Sequence, residues 1–182
     1  MIHITMILNS HESAVGVARR RRSRRRFRVG LDELEPRLLL ATDVLMYHDG
    51  PTSTGSNPGE TQLTPSNVNS STFGKLFQVQ VDGQVSAQPL VATGVNITTG
   101  ASPGIHDVVF VATENDSLYT IDADSADGQI LWQRSFLTSG LPGATSITPV
   151  PKADVGGTIG PVVGITGTPV IDKATNTLYL VT

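Results

Sequence analysis

The stretch DVVFVATENDSLYTIDADSADGQILWQ, residues 107–133, decides the fold of this chain. Short β-type runs at 108–113, 117–122 and 129–136 begin within it and are separated by turn residues. The first run is continuously apolar, which predicts a strand buried on both faces. The second run alternates between apolar and polar residues, which predicts a half-buried strand. The stretch therefore predicts three consecutive short strands joined by tight turns.

Further strands are predicted on either side of this stretch. Residues 76–81 alternate loosely, the Asp-Gly pair at 82–83 is a strong hairpin signal, and residues 85–91 form a second run. Pro89 must then lie at an edge or an unpaired position, because proline has no N–H. Residues 46–49, MYHD, open the folded part and are expected to close a sheet by strand addition. No helical periodicity accompanies these runs.

The chain also repeats itself. SAQPLV at 86–91 is echoed by TGTPVI at 166–171, which lies 80 residues later. VVFVAT at 108–113 is echoed by TLYLVT at 177–182. A unit of four short strands that recurs along a chain is typical of the blades of a β-propeller.

These patterns predict an all-β chain with a partial β-propeller of about one and a half four-stranded blades, after a disordered basic N-terminal segment. Such a partial propeller leaves strand edges open, which favours aggregation. We therefore expect a fragment or a truncated reading frame that is poorly stable alone. The predicted parts are a basic segment at 1–43, a loop-rich linker at 44–72 and the propeller part at 73–182, with a blade at about 84–136, an insertion at 137–163 and a truncated blade at 164–182.

The motif QPLVA … DVVFVATENDSLYTIDADSADGQILWQ resembles the pyrroloquinoline-quinone (PQQ)-like, quinoprotein-type β-propeller repeat. Asp124, Gly128 and Trp132 match its tryptophan-docking turn, whereas Asp127 replaces the usual Thr and Asp122 the usual Ala. The resemblance implies that Trp132 packs against the neighbouring blade. Stacking on a cofactor is the alternative role for this residue.

The same type of repeat occurs in dehydrogenases and in non-enzymatic scaffolds, so it is weak evidence for an activity. Quinoprotein dehydrogenases hold PQQ with a Ca²⁺ bound by Glu and Asn, a catalytic Asp, a stacking Trp and often a vicinal Cys pair. This chain has no cysteine, and none of the other residues can be assigned. We therefore expect a non-catalytic binding or scaffold module, with an unknown protein or surface ligand and the missing blades as partners. A quinoprotein oxidoreductase whose active site lies in further blades is the alternative.

The aspartates of the docking turn also resemble a calcium loop. Asp122, Asp124 and Asp127 with Gly128 give the spacing D-x-D-x-x-D-G, one residue longer than the usual D-x-D-x-D-G. The alternative is an Asx-type turn, in which these side chains accept hydrogen bonds from the local backbone. The histidines lack metal-ligand spacing: His3, His11, His48 and His106. His106 is expected to be a turn residue at a strand entry.

The N-terminal segment differs sharply in charge from the rest. Residues 1–40 hold nine arginines against four acidic residues, a net charge of +5, and residues 41–182 hold four basic against twelve acidic residues, a net charge of −8. The eight arginines at 19–28 fit a solvated disordered run, a nucleic-acid-binding arm or an export signal. Because the acidic remainder would be repelled by phosphates, nucleic acid is not expected as the partner.

A specific motif follows the arginines. LEPRLLL at 34–40 resembles the LEPR-XLL segment of surface and secreted proteins of planctomycetes and similar bacteria. The resemblance implies a sorting or export element, and therefore a location at the cell surface or outside the cell. Acidic residues and Pro36 interrupt an ordinary apolar signal core. No segment approaches the 18 or more apolar residues of a membrane span.

Overall fold

The structure is a computed structural model. It describes the backbone of residues 2–5 and the residues 42–61, 63–71, 73–100, 102–137 and 147–182. The predictions for residues 6–41, including the arginine run and the LEPR-XLL motif, lie outside the described residues. Disorder was expected over 1–43, but Ile2–Thr5 forms a strand.

The described part of the chain is all-β, as predicted, with antiparallel sheets. Helical structure there is limited to a 3-10 turn at Tyr47–Asp49 and a single turn, α1, at Lys152–Val155. The strands are β1 Ile2–Thr5, β2 Leu90–Ile97, β3 Gly104–Ala112, β4 Ser117–Asp122, β5 Ile130–Ser135, β6 Val150–Pro151, β7 Val162–Val163, β8 Val170–Asp172 and β9 Thr177–Leu180. The sheets have the orders β2-β3-β4-β5, β1-β9-β8 and β6-β7.

Strands β2 to β5, here called the first unit, form one four-stranded sheet in chain order. The predicted runs at 108–113, 117–122 and 129–136 coincide with β3, β4 and β5 to within a few residues. Strand β2 begins only after Pro89, later than predicted. Its ladder with β3 is interrupted next to Gly94, whose φ of +62° suits glycine.

Burial within the first unit reverses two expectations. Strand β3 alternates between buried and half-buried side chains from Val108 onward, although burial on both faces was predicted. Strand β4 is buried along its whole length, although half-burial was predicted. The cause is a covering segment, residues 77–84, which lies over the side chain of Tyr119 on β4: the backbone N–H of Asp82 donates to the Tyr119 hydroxyl at 3.1 Å.

This covering segment is not the hairpin that its sequence predicts. Residues 76–81 form no strand, and residues 82–83 form a bend. A segment that crosses the face of a sheet cannot join its ladder, because its backbone is not at a sheet edge. Its apolar residues Phe77 and Val79 lie against Gly128 instead.

Strands β8 and β9, here called the second unit, reproduce the pairing of β2 and β3. The sequence repeat aligns Leu90 with Val170 and Phe110 with Tyr179. The structure pairs Leu90 with Phe110 and, in the same register, Val170 with Tyr179. The next two pairs along the strands also correspond, so the repeat seen in the sequence is a repeat of hydrogen-bonded strands. Strand β1 then lies beside β9, as β4 lies beside β3.

Each unit has two faces, which we name by equivalent residues. The front face carries Leu90, Ala92, Val108, Phe110 and Ala112 in the first unit, and Val170, Asp172, Thr177, Tyr179 and Val181 in the second. The back face carries Val91, Val109 and Val111 in the first unit, and Ile171, Leu178 and Leu180 in the second.

The two units pack front to back. The front face of the first unit and the back face of the second unit contribute to one hydrophobic core cluster. Ala92 and Phe110 on one side, and Ile171 and Leu178 on the other, line a small cavity of about 60 Å³ between them. This contact places equivalent strands of the repeat in consecutive layers.

Residues 44–49 contact both units, but not by adding a strand as was predicted for residues 46–49. Residues 46–49 add no strand, since Tyr47–Asp49 is a 3-10 turn. Instead Val44 exchanges two backbone hydrogen bonds with Val91, and the Leu45 carbonyl accepts from the N–H of Ile171. The start of the predicted linker therefore ties both units together. The insertion contains its own short hairpin, β6–β7, with α1 between the strands.

Candidate functional site: the junction between the repeat units

The turn between β3 and β4, residues 113–116, is the polar centre of the contact between the units. It follows a strand of the first unit and meets the residues that precede β8. The backbone N–H of Ile165 donates to the Thr113 carbonyl at 3.3 Å. Asp116 has a φ of +53°, a left-handed conformation that aspartate tolerates in tight turns.

Glu114 is the main link across this junction. Its side chain is buried, with only 1% of the residue exposed. One carboxylate oxygen, Oε2, accepts from the N–H of Gly164 and from the hydroxyl of Thr166, each at 2.9 Å. The other oxygen, Oε1, is buried without a hydrogen-bond partner among the described residues. The backbone N–H of Glu114 donates to the Gln84 carbonyl at 2.9 Å.

Gln84 and Gly164 occupy equivalent positions, because they lie 80 residues apart, as do the neighbouring segments 86–91 and 166–171. Glu114 therefore contacts the segment that precedes each unit. Its backbone N–H binds Gln84 before the first unit, and its carboxylate binds Gly164 before the second. Gly164 fits because a β-carbon there would overlap the Glu114 carbonyl oxygen and the Asp116 carboxylate. The junction requires a residue without a side chain at this point.

Asp116 adds a second acidic contact. Its Oδ1 accepts from the hydroxyl of Thr182 at 2.7 Å. Burial raises the pKa of Asp116, and the nearby negative charge of Glu114 acts in the same direction, although the hydrogen bond from Thr182 opposes both. A buried carboxyl beside another acid resists ionisation.

Asp82 fastens the covering segment to the same turn. Its two carboxylate oxygens accept from the hydroxyl of Thr113 at 2.9 Å and from the hydroxyl of Ser117 at 2.6 Å. The side-chain amide of Asn115 donates to the Asp82 carbonyl. The turn is therefore held from both sides, by the covering segment and by the second unit.

A charged cluster joins the units beside the small cavity. The Lys173 ammonium lies 2.8 Å from Asp43 Oδ2 and donates to the Thr93 carbonyl at 3.0 Å. Partial burial of Asp43 disfavours its charge, but the hydrogen bonds from Lys173 and Thr93 outweigh this and lower its pKa. Thr93 belongs to the first unit and Lys173 follows β8, so the cluster bridges the units through the residue before Val44.

One of the predicted calcium candidates, Asp122, forms an Asx-type turn, whereas Asp124 contacts the neighbouring strand β3. Asp122 Oδ1 accepts from the N–H of Asp124 at 2.9 Å, and Asp124 Oδ2 accepts from the N–H of Asp107 at 3.0 Å. Asp127 is exposed. Within the described residues, no three acidic or histidine side chains form a group that could hold a metal ion. The second oxygen of Asp122, Oδ2, lies 3.1 Å from His106 Nδ1. Binding of calcium at this turn stays a prediction.

The other residues of the docking turn have packing roles. Gly128 has a φ of +69°, and a β-carbon there would overlap the side chains of Phe77 and Val79. Trp132 is half-buried and packs against the core cluster to which both units contribute. Its docking to a neighbouring blade stays a prediction, and no residue of the described chain is identified as a quinone ligand.

His106 has a contact that the sequence did not reveal. It lies within β3 and its Nδ1 is 3.1 Å from Asp122 Oδ2, while its Nε2 is 3.1 Å from the Ser102 carbonyl. This side chain connects the start of β3 to the end of β4. The prediction that His106 is a turn residue was therefore wrong, because β3 begins two residues earlier, at Gly104. The sequence gave no signal for its partner.

Comparisons with known proteins add no assignment. No protein-family model matches the chain, and searches of curated proteins and of solved structures find no match. Across the residues described by the structure, no helix has the length and apolar character needed to cross a membrane. The role of the junction is therefore inferred from its contacts alone, in which carboxylates accept hydrogen bonds that join one unit to the next.

Proposed function

We propose that this chain supplies blade units of an exported PQQ-like β-propeller protein, which acts as a non-catalytic binding or scaffold module at the cell surface. The observation that carries the proposal is the repeated pairing register of β2–β3 and β8–β9, with the two units stacked front to back. Stacked repeats of short antiparallel strands are the building principle of propellers and related arrays.

The roles of the acidic side chains support a scaffold rather than an enzyme. Glu114 holds the second unit, Asp82 holds the turn between β3 and β4, and Asp122 holds its own turn. These carboxylates accept hydrogen bonds from backbone or hydroxyl groups within the fold. Glu114 stabilises the contact between the repeat units, and Asp82 and Asp122 stabilise the first unit itself.

A quinone titration tests the class of function. Trp132 is the single tryptophan, so its fluorescence reports on PQQ added to the purified chain, with and without Ca²⁺. The scaffold proposal expects no saturable quenching in either condition. Saturable, Ca²⁺-dependent quenching that is lost in Trp132→Phe would overturn it in favour of a quinoprotein oxidoreductase.

Export is tested separately from binding. Residues 1–43 fused to an export-dependent reporter enzyme should direct that enzyme out of the cytoplasm in a planctomycete host. The matched control replaces LEPR at 34–37 with four alanines and keeps the arginine run. Equal reporter activity from both fusions would contradict the assignment of the motif as a sorting element.

A further inference from the structure

A pocket of about 350 Å³ lies where the start of the predicted linker meets the first unit. Three separate segments form it: residues 44–49, the loop at 55–57, and Gln88, which lies two residues before β2. The residues that line it are Val44, His48, Asp49, Gly55, Asn57 and Gln88. A pocket of this size with a few convergent polar groups is suited to a small molecule.

Hydrogen bonds hold the three segments of this pocket together. The backbone N–H of His48 donates to Gln88 Oε1 at 3.1 Å, and the His48 carbonyl accepts from the N–H of Gly55 at 3.0 Å. His48 and Asp49 both have left-handed backbone conformations, with φ of +51° and +57°, which are uncommon outside glycine. Residues held in such conformations cluster at ligand sites. The pocket is therefore organised by the fold itself.

The polar side chains of the pocket offer both donors and acceptors. The side-chain oxygens of Gln88 and Asn57 each accept from a backbone N–H at 3.1 Å, so their amide N–H groups can donate to a ligand. Among the described residues, the hydrogen bond of Asp49 is made by its backbone N–H, to the Met46 carbonyl at 3.3 Å. The half-buried carboxylate of Asp49 is thus available as an acceptor.

An aromatic pair lies beside these polar groups. The rings of Tyr47 and His48 stack, with centroids 4.0 Å apart and planes 15° apart, and Tyr47 is exposed. Neither lysine nor arginine occurs among the described residues that line the pocket. An anion would therefore meet the charge of Asp49 without a compensating cation, which argues against an anionic ligand.

We propose that this pocket binds a neutral pyranose sugar. Neighbouring hydroxyl groups of such a sugar donate to a carboxylate such as that of Asp49 and accept from the amide N–H groups of Gln88 and Asn57. The C–H face of the sugar ring is apolar and suits the faces of aromatic rings such as Tyr47 and His48. This inference names the ligand class of the binding module proposed above, and it rests on that proposed function.

Titration of the full-length chain with neutral and charged sugars tests the site. The probes are glucose, N-acetylglucosamine, glucosamine and glucuronate, with binding followed by saturation-transfer NMR. We expect saturable binding of a neutral sugar, weakened at least about tenfold in Asp49→Asn because a charged acceptor is lost. Asp154→Asn is the matched control, since Asp154 is exposed on α1 outside the pocket, and it should leave binding unchanged.

Urea unfolding of the two variants shows whether the fold is retained. Both midpoints should match that of the unmodified chain, because the Asp49 carboxylate accepts no hydrogen bond from the described part of the fold. Absence of saturable binding of both neutral sugars would overturn the proposal, as would equal binding by Asp49→Asn and the unmodified chain. Tighter binding of glucosamine than of N-acetylglucosamine would also overturn it, because charge would then decide the affinity.

The quinone titration reports on a different part of the molecule. It follows Trp132, which does not line this pocket. Quinone binding would overturn the scaffold function and leave the sugar result unchanged. Failure of sugar binding would remove this site and leave the quinone result unchanged, so the two failures are distinguishable.

Discussion

The two repeat units have the same strand register but different patterns of exposure. Leu90 pairs with Phe110 as Val170 pairs with Tyr179, yet Leu90 is buried and Val170 is exposed. Local sequence therefore specifies which residues pair and which share a face. The burial of a given face depends on what is stacked against it, which is a property of the arrangement of units. The difference can be tested by changing equivalent positions in the two units.

The largest effect is expected from the back faces. Leu178→Ala removes a fully buried side chain from the contact between the units, so we expect a loss of about 2–5 kcal/mol in the free energy of unfolding. The equivalent change in the first unit, Val109→Ala, affects a half-buried side chain and should cost at most about 1 kcal/mol. Urea unfolding curves give both values. Equal losses would show that the two back faces are equally covered.

A second difference is that the first unit has a covering segment. Gly128→Ala would place a methyl group on the side chains of Phe77 and Val79 at a φ of +69°, whereas Gly94→Ala meets open space at a φ of +62°. Gly94→Ala should cost roughly 1 kcal/mol in backbone strain. Gly128→Ala should cost about 1–3 kcal/mol more, because it also displaces the covering segment.

A double variant separates these two contributions. Adding Phe77→Ala to Gly128→Ala removes one of the side chains that the new methyl group would overlap. The combined loss in urea unfolding should then be smaller than the sum of the two single losses. Simple additivity would show that the segment does not lie on Gly128 in solution.

The link between the units gives the third prediction. Glu114→Ala removes the acceptor for the Gly164 N–H and the Thr166 hydroxyl, and we expect a loss of about 1–3 kcal/mol in the free energy of unfolding. Glu114→Gln keeps a carbonyl acceptor at this position and should cost less. If both variants unfold at the same urea concentration, the hydrogen bonds are not what Glu114 contributes.

The strands were predictable where the determining pattern is local. The runs at β3, β4 and β5 are short, apolar or alternating, and bounded by turn residues, so sequence sufficed to place them. The repeat in the sequence also corresponds to the shared register of the two units. The run at 76–81 was predicted as a strand for the same local reasons, and this prediction was wrong. Its apolar residues Phe77 and Val79 lie against Gly128, in the turn between β4 and β5.

The contacts of Glu114 at the junction could not be predicted from local sequence, because its partners are distant in the chain. Glu114 stands beside an apolar run in what looks like an ordinary acidic turn, and its partners Gly164 and Thr166 lie 50 and 52 residues away. The available signal was the repeat itself, which places Gly164 at the position of Gln84. For the Asp122–Asp127 turn the sequence left two alternatives, and Asp122 accepts from the N–H of Asp124 as the Asx-type alternative describes. Asp124 accepts from the N–H of Asp107 on β3, a contact that the local sequence does not reveal.

The smallest effect concerns pH and separates the two acidic contacts between the units. The pKa of Asp43 is lowered, despite its partial burial, by hydrogen bonds from Lys173 and Thr93. Its contribution to stability is therefore present above the ordinary aspartate pKa of 3.8 and is lost as the pH falls through the lower folded-state value. Because this pair is partly exposed, Asp43→Asn should cost less than about 1 kcal/mol at neutral pH.

Asp116 should behave in the opposite sense. Its pKa is raised by burial and by the charge of Glu114, so its contribution is fully present below 3.8 and is lost as the pH rises through the raised folded-state value. Urea midpoints should be measured from pH 3 to 7 for the unmodified chain and for both variants. In Asp43→Asn the midpoint should fall less steeply toward acidic pH than in the unmodified chain. In Asp116→Asn it should fall less steeply toward neutral pH than in the unmodified chain. Parallel curves for all three proteins would contradict the assignment of these carboxyls to the contact, since a carboxyl with the same pKa in the folded and unfolded chain leaves the midpoint independent of pH.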